Sequence, residues 1–410
     1  MKILRILFVF LLVMCSFQTN LYADTTSDLI AASREGKLEV VKSLIEKGAD
    51  VNAGDKFGWT PLMIASYNGQ LDVVKFLVSI GADVNARDKI DRTALMAASY
   101  NGQLEVVKFL LEKGADISAN KNGLTALMLA SLEGKLEVVK SLIEKGADMN
   151  AKDNDGWTAL MAACKNGHLY VVKFLVTHGA DMNAKDNDGW TVLMAACQEG
   201  KLDVAKFLIS KGADVNAKTQ DGNTVLMSAS KDGHLEVVKL LVASGADVNA
   251  KKNNGGTALL YASNKGHLEV VKFLAGKGAD INAKNNDGWT ALMAASASGH
   301  LEIANFLVTK GADVNAKTKD GNTILMAAGR DGHLEVVKLL VSKGADVNAK
   351  NNSGGTALMF ASHAGKLEVV KFLISKGADV KAKGNDGTNA LMVSRNPEIR
   401  KVLMNAMTGD

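Results

Sequence analysis

A nearly fixed period of 33 residues constrains this chain more than any other feature of its sequence. The pattern Thr-x-Leu-Met, or its variant Thr-Ala-Leu-Leu, recurs every 33 residues except for one step of 32. Each copy is followed by a glycine nine residues on, and then by segments close to LEVVKFL and GADVNAK. Such a period indicates a stacked repeat array and not several independent domains. The copies begin at Thr60, Thr93, Thr125, Thr158, Thr191, Thr224, Thr257, Thr290, Thr323 and Thr356.

Each repeat reads as two short helices joined by a turn. In the copy at 158–167, Thr158 is a typical N-cap residue and Gly167 is expected to end the first helix. A second helix is predicted over 169–179, with an apolar stripe, and Gly179 is expected to end it. Two helices this short cannot bury that stripe alone, so each repeat needs neighbours. The stripe comprises Leu169, Val172, Leu175 and Val176.

These motifs resemble those of ankyrin-repeat proteins. The pattern G-x-T-x-L-x-x-A-x-x-x-G-H-L-E-V-V-K-x-L-x-x-x-G-A-D-V-N-A extends over essentially all of 27–404. The resemblance implies an all-α solenoid of twelve L-shaped helix–turn–helix units with β-hairpin loops, forming a single array over 24–410. Units are expected to begin near residues 27, 60, 93, 125, 158, 191, 224, 257, 290, 323, 356 and 389. The first and last are expected to be caps, and Pro397 is expected to open the final helix.

One departure from the family pattern is systematic. A structural His follows T-P-L in the family, whereas here a methionine stands at that place, which favours adaptable apolar packing over a polar tie between units. These methionines are Met63, Met96, Met128, Met161, Met194, Met227, Met293, Met326, Met359 and Met392.

The N-terminal residues are typical of a secretory signal peptide. Lys2 and Arg5 precede an apolar segment at 6–15, and cleavage is expected after Ala23. We therefore expect a periplasmic or secreted protein; a retained anchor is the main alternative. A lipoprotein is disfavoured because Met14 stands where a small residue should precede Cys15.

The net charge of the mature chain indicates little about its binding partners. Without residues 1–23 it has 46 basic and 44 acidic residues, a net charge of +2 with both signs interleaved. This balance does not indicate a basic surface of the kind that binds nucleic acid. We also expect no membrane insertion after cleavage. Only Cys164 and Cys197 remain, at equivalent places in adjacent repeats, where we interpret them as small core residues and not as a disulfide. We expect a monomer.

The segment NAKDNDGW, at 150–157 and again at 183–190, resembles the start of a calcium loop. An EF-hand requires an acidic residue at position one and Glu at position twelve, where this chain has Ala151 and Ala162. Other repeats lose the carboxylates but keep the glycine, as a tight turn requires. We therefore predict a turn and no metal site.

No catalytic arrangement is visible either. Five of the seven histidines fall in Gly-His-Leu, once per repeat, which separates them too far for shared ligation. No Ser or Cys is paired with a His and an acid within one repeat. We expect no enzyme, no catalytic residue and no cofactor.

Residues that change from repeat to repeat are free to contact a partner. In ankyrin repeats such places line a concave groove, and here the early repeats carry aromatic residues and Arg, the types that dominate binding hot spots. Irregularities coincide with them: Asp91 replaces a hairpin glycine, Ser118 replaces Asn, and one residue is missing before Thr125. The predicted contact residues are Phe57, Trp59, Tyr67, Ile90, Arg92, Tyr100, Leu124, Leu132, Trp157 and Trp190.

The sequence thus predicts a non-catalytic scaffold that binds a partner protein through its groove. Two alternatives remain open: an elongated structural spacer, and an inhibitor or immunity-type regulator of a periplasmic enzyme. For the tryptophans, the competing interpretation is that each packs on its own hairpin.

Overall fold

The computed structural model describes residues 25–118 and 122–408. The predicted signal peptide and its cleavage site lie outside these residues, as do residues 119–121 in the shortened repeat. The described chain contains 24 helices in pairs. Its β-structure is limited to three isolated antiparallel bridges: Lys185–Thr191, Lys218–Thr224 and Lys317–Thr323. The expected all-α fold of twelve helix–turn–helix units is confirmed.

The first helix of each pair is short. These helices are α1 (Thr25–Glu35), α3 (Pro61–Asn68), α5 (Ala94–Asn101), α7 (Ala126–Leu132), α9 (Ala159–Asn166), α11 (Val192–Gln198), α13 (Val225–Lys231), α15 (Ala258–Lys265), α17 (Ala291–Ala297), α19 (Ile324–Asp331), α21 (Ala357–His363) and α23 (Ala390–Val393).

The second helix spans nine residues in most pairs. These helices are α2 (Leu38–Glu46), α4 (Leu71–Ser79), α6 (Leu104–Glu112), α8 (Leu136–Glu144), α10 (Leu169–Thr177), α12 (Leu202–Ser210), α14 (Leu235–Ala243), α16 (Leu268–Gly276), α18 (Leu301–Thr309), α20 (Leu334–Ser342), α22 (Leu367–Ser375) and α24 (Pro397–Thr408). In the described chain, no helix has the length and apolarity needed to cross a membrane.

The ends of the first helices follow local sequence chemistry. Thr158 accepts a hydrogen bond from the backbone N–H of Met161, and Gly167 ends α9 in the left-handed region at φ 82°. The predicted N-cap and stop are therefore confirmed. Thr caps a free backbone donor, and glycine adopts positive φ without the steric cost of a Cβ.

The second helix buries a narrower face than the sequence predicts. In α10 the buried residues are Val171, Val172 and Leu175, whereas Leu169 and Val176 are only half-buried. The expected stripe was thus partly wrong, because its ends, Leu169 and Val176, remain partly at the surface, while Val171, which was not part of it, is buried. Tyr170 faces outward and is 75% exposed.

Nine of the ten methionines predicted to supply apolar packing are buried, but Met392, in the short helix α23, is 64% exposed, so the prediction is wrong at that position. Met63 and Met161 are fully buried, and Cys164 and Cys197 are buried and free. Burial raises the pKa of the Cys197 thiol to about 12 and that of Cys164 as well. Both thiols are therefore held in the neutral form, as expected for core residues.

The acid-rich segment at 150–157 forms a hairpin turn, as predicted. The Asp153 carboxylate accepts hydrogen bonds from the backbone N–H groups of Asp155, at 3.0 Å, and Trp157, at 2.8 Å, and Gly156 has φ 85°. In another repeat a hydroxyl group closes the turn. Thr318 Oγ1 accepts a hydrogen bond from the backbone N–H of Asn322 at 3.1 Å. A carboxylate is therefore one of several side chains that can close this turn.

The described chain divides into two compact bodies. The first extends to Ala130 and includes Lys135–Asp148; the second comprises Ser131–Gly134 and everything from Met149 onward. Each body is described by itself below.

Candidate functional site

The hairpin at 88–92, in the first compact body, contains a buried ion pair. Asp88 Oδ1 accepts from the backbone N–H groups of Ile90, at 3.0 Å, and Arg92, at 2.8 Å. Its second oxygen accepts a hydrogen bond from Arg92 Nε at 2.6 Å and forms an ion pair with Nη2 at the same distance. Asp88 thus closes the turn with one oxygen and fixes the Arg92 side chain with the other.

This hairpin is also irregular in its backbone. Asp91 has φ 70° and is, within the described chain, the one non-glycine residue with positive φ. The left-handed region is costly for residues with a Cβ, although Asp tolerates it better than most. Arg87 Nη1 lies 2.9 Å from Asp91 Oδ2, so an ion pair accompanies the strained position. The predicted irregularity at Asp91 is confirmed.

Arg92 connects this hairpin to aromatic residues of the preceding repeat. Its guanidinium carbon lies 4.7 Å from the centre of the Trp59 ring. Trp59 meets Tyr67 edge to face at 5.8 Å between centroids, and Tyr67 stacks on Tyr100 at 6.4 Å. We call Trp59, Tyr67, Arg92 and Tyr100 the aromatic–arginine cluster.

Backbone contacts fix the tyrosines of the cluster. The Asn101 side chain donates to the Tyr67 carbonyl at 2.7 Å, and Gln103 Nε2 donates to the same oxygen at 3.3 Å. Helices α3 and α5 are therefore tied together at the point where the two rings stack. Both rings remain half-buried and so present part of their surface to solvent.

Several predicted contact residues are not exposed, which corrects the expectation from the sequence. Trp59 is 4% exposed and Arg92 is 3% exposed, because each covers the other. Leu124 and Leu132 are also buried, by helix packing. At these four variable positions the side chains therefore belong to the packed interior and not to the accessible surface.

The surface of the first body is formed instead by hairpin tips and tyrosines. Phe57 is half-buried, with Lys56 Nζ 5.0 Å from the centre of its ring, and Ile90 is 38% exposed. The backbone N–H of Lys89 donates to the carbonyl of Phe57 at 3.1 Å, so the two hairpin tips are joined. Phe57, Ile90, Tyr67 and Tyr100 are the predicted residues that retain accessible surface here.

Two of the predicted contact tryptophans lie in the second body. Trp157 and Trp190 are half-buried. Burial raises the pKa of Asp186, while hydrogen bonds from the Trp190 backbone and the Trp157 indole partly offset that rise. The Trp157 side chain therefore reaches the following hairpin. This contact is with the next hairpin and not, as the competing interpretation held, with its own, and Lys165 Nζ lies 5.6 Å from the Trp157 ring centre.

One variable position escaped the analysis of the sequence. Four residues after each repeat's Thr, most repeats have a small or aliphatic residue, but Tyr261 and Phe360 stand there in two. In both repeats the residue after the hairpin glycine is a second glycine, Gly256 or Gly355. A Cβ on Gly256 would meet the Tyr261 hydroxyl, and a Cβ on Gly355 would lie 3.2 Å from Phe360 Cε2. The same comparison between repeats would have found this pair of positions.

The histidines tie successive repeats together. Nε2 of His168 lies 2.8 Å from the carbonyl of Leu132, and Nε2 of His333 lies 3.0 Å from that of Ala297. Gln70 makes the same contact with Arg34 at 3.1 Å. Within residues 25–118 and 122–408, no three His, Cys, Asp or Glu side chains are arranged to hold a metal ion.

Comparison with known proteins supports the repeat assignment along the chain. The model for ankyrin repeats (3 copies) matches residues 6–88, 88–153, 149–219, 215–285, 277–351, 316–384 and 347–408. The human ankyrin repeat and SOCS box protein 3 is 43% identical over 44 residues, which are 11% of this chain and 8% of that protein. Ankyrin repeats generally serve as protein–protein interaction scaffolds. This chain belongs to the ankyrin-repeat family.

Proposed function

We propose that this protein is a non-catalytic scaffold that binds a partner protein through its first two complete repeats, beginning at Thr60 and Thr93. The observation that carries this proposal is the aromatic–arginine cluster, in which Arg92 and Trp59 support two partly exposed tyrosines. Tyrosine presents a large, rigid contact area with a polar tip, which favours its use in protein interfaces.

The buried residues packed against the two tyrosines make this surface suited to binding. The ion pair of Asp88 with Arg92 fixes the guanidinium, and the guanidinium fixes the Trp59 ring. The tyrosines then lose little side-chain freedom on binding, which lowers the entropic cost of association. Phe57 and Ile90 extend the apolar contact along the hairpin tips.

The test replaces Tyr67 and Tyr100 together with Ala and leaves buried Trp59 in place. Capture with the wild-type protein from periplasmic extract, followed by mass spectrometry, identifies partners whose recovery depends on the tyrosines. Loss of a partner with unchanged circular dichroism supports the proposal; equal recovery with both proteins contradicts it. Gln198→Ala and Asn264→Ala, at the equivalent position of later repeats, serve as matched controls.

The location of the protein is part of the same proposal. The residues at 1–23 have the pattern of an export signal, and we infer a periplasmic or secreted protein cleaved after Ala23. An inhibitor or immunity-type regulator of a periplasmic enzyme fits that location. Fractionation with N-terminal sequencing tests it: recovery from the cytoplasm with residues 1–23 intact contradicts export.

The spacer alternative predicts a different outcome. A purely structural spacer needs no accessible aromatic surface that differs between repeats. It would show no partner whose recovery changes on substitution of Tyr67 and Tyr100. Light scattering separately tests the expected monomer, because a self-associating spacer would give a larger mass.

A further inference from the structure

Phe360, in the second compact body, lies between two cavities of very different size. One has a volume of about 50 Å³ and is lined by Trp289, Met293, Met326 and other residues of the preceding repeats. The other has a volume of about 510 Å³ and lies on the side of the last repeat, against Met359 and Val393. We call the larger cavity the Phe360 pocket. Its volume is in the range of sites that take small ligands or large side chains.

The Phe360 pocket arises from features that set the last repeat apart. Helix α23 has four residues and ends at Ser394, whose backbone is extended at φ −81° and ψ 127°. Gly384 stands where most hairpins carry Asp, Asn or Thr, and Gly355 also lacks a side chain. Less of the space beside Phe360 is therefore filled than in the other repeats.

The Arg400 side chain ties the final helix to the short helix beside the pocket. Arg400 Nη1 donates to the carbonyl of Leu391 at 2.8 Å and to that of Ser394 at 3.3 Å. Because α23 ends after four residues, these carbonyl groups have no hydrogen-bond donor within the helix, and the Arg400 side chain supplies one. Asn396 caps the next helix by accepting from the backbone of Glu398 at 2.9 Å.

The walls of the pocket differ in chemistry. Met359, Phe360 and Val393 form an apolar wall, and the hairpin residues around Asp386 form a polar one. Hydrogen bonds from the Thr388 hydroxyl, at 2.7 Å, and its backbone N–H, at 2.9 Å, hold the pKa of Asp386 below its usual range. Among the described residues that line the pocket, Asp386 is the one carboxylate, and neither Lys nor Arg is present.

We propose that the Phe360 pocket receives an aromatic or branched aliphatic side chain from a partner peptide that carries Lys or Arg beside it. The apolar wall matches the side chain, and Asp386 at the rim matches the positive charge. A peptide fits better than a small amine because Phe360 also borders the smaller cavity, so a chain following the helices meets both in succession. The site is independent of the aromatic–arginine cluster, which belongs to the other body.

The test uses the full chain with ¹³C-labelled methionine methyl groups and follows Met359, assigned through Met359→Leu. The first probe is acetyl-Phe-Lys-amide, expected to bind in about the millimolar range and to shift the Met359 signal saturably. Acetyl-Phe-Glu-amide should bind about two- to five-fold more weakly at low salt, the effect of an exposed ion pair. Acetyl-Gly-Lys-amide should leave Met359 unshifted.

Three variants separate the parts of the proposal. Val393→Phe, which copies the residue at the same position of the preceding repeat, should fill the pocket and abolish the shift. Phe360→Ala, which copies Ala327 one repeat earlier, should abolish it by removing the wall. Asp386→Asn should bring the Lys and Glu probes to equal affinity. Unchanged circular dichroism, with an unchanged signal from Met404 in α24, confirms that the last repeats of each variant are folded.

The overturning outcomes are equally specific. An unshifted Met359, or a shift that persists in Val393→Phe, removes the pocket as the site. Equal binding of the Lys and Glu probes to the unmodified protein removes the role of Asp386. If 2-phenylethylammonium bound as tightly as the dipeptide, the pocket would be a site for small amines. The proposal of a peptide ligand would then be wrong.

Discussion

Arg92 Nε donates a hydrogen bond of 2.6 Å to one oxygen of Asp88, and Nη2 lies 2.6 Å from the same oxygen in an ion pair, although Arg92 is only 3% exposed. On its other side the guanidinium covers the Trp59 ring at 4.7 Å. The pair therefore links a turn of one repeat to the aromatic residue of the previous one. A buried charge of this kind is costly to leave without its partner.

Arg92→Ala should destabilise the first body by about 3–5 kcal/mol, because Asp88 then keeps a buried charge without its partner. The double variant Asp88→Thr with Arg92→Asn copies the pairing of Thr318 with Asn322 and should recover most of that loss. Urea unfolding followed by circular dichroism measures both. A single variant as stable as the unmodified protein would contradict the importance of the pair.

Asp153→Asn should raise the free energy of unfolding at pH 7 by less than about 1 kcal/mol. Burial raises the pKa of Asp153, so folding favours its neutral form, and stability falls as the pH rises through the folded-state pKa. Asn keeps the acceptor oxygen that closes the turn, as Asn285 does. The gain should therefore vanish at low pH, where Asp153 is already neutral.

Asp221→Asn is the matched control with the opposite sign. Hydrogen bonds from Lys252 and Thr219 hold the pKa of Asp221 below its usual range. Its ionised form therefore stabilises the folded state above the ordinary Asp pKa, and that stability is lost as the pH falls through the folded-state pKa. Asp221→Asn should lower stability at pH 7. Urea titrations at pH 7 and pH 3 distinguish the two carboxylates.

Gly329→Ala should stabilise the protein by about 0.5–1 kcal/mol. Gly329 lies inside α19, and an added Cβ would meet neighbours at 3.7 Å or more, which is ordinary contact. Gly332, at the end of the same helix, has φ 88° and provides the contrast. Gly332→Ala should destabilise, and thermal unfolding of the two variants should move in opposite directions.

Gly256→Ala should destabilise because its Cβ would meet the Tyr261 ring, with Cζ at 2.8 Å. Tyr261→Ala, the residue of that position in several repeats, should make Gly256→Ala harmless. The coupling in a double-mutant cycle should reach about 1–3 kcal/mol, since the two residues share one volume. Additive effects would mean that the two positions are independent.

The features predicted from sequence were those that depend on near neighbours. The caps at Thr158 and Gly167, the turn at Gly156 and the positive φ at Asp91 each follow from a few adjacent residues. Repetition then supplied the stacking, because every copy needs the same partner surface.

The solvent exposure of the predicted contact residues could not be predicted in the same way. Whether Trp59 faces solvent depends on Arg92, a residue 33 positions away in the next repeat, and that contact exists because Asp88 holds the guanidinium. Composition correctly marked the region as unusual, but packing between repeats decided which side chains reach the surface. The pairing of Gly355 with Phe360 was visible in the sequence, yet its meaning required the distance between them.

The shared volume of Gly355 and Phe360, like that of Gly256 and Tyr261, has a consequence for how such a protein can diversify. A bulky side chain can be moved from the hairpin to the helix of one repeat by two substitutions, while the capping Thr and the buried leucines stay as they are. The shape of the surface formed by the hairpins and first helices can therefore change in one repeat at a time. Because each adjustment leaves the stacking contacts intact, recognition can change without a new fold.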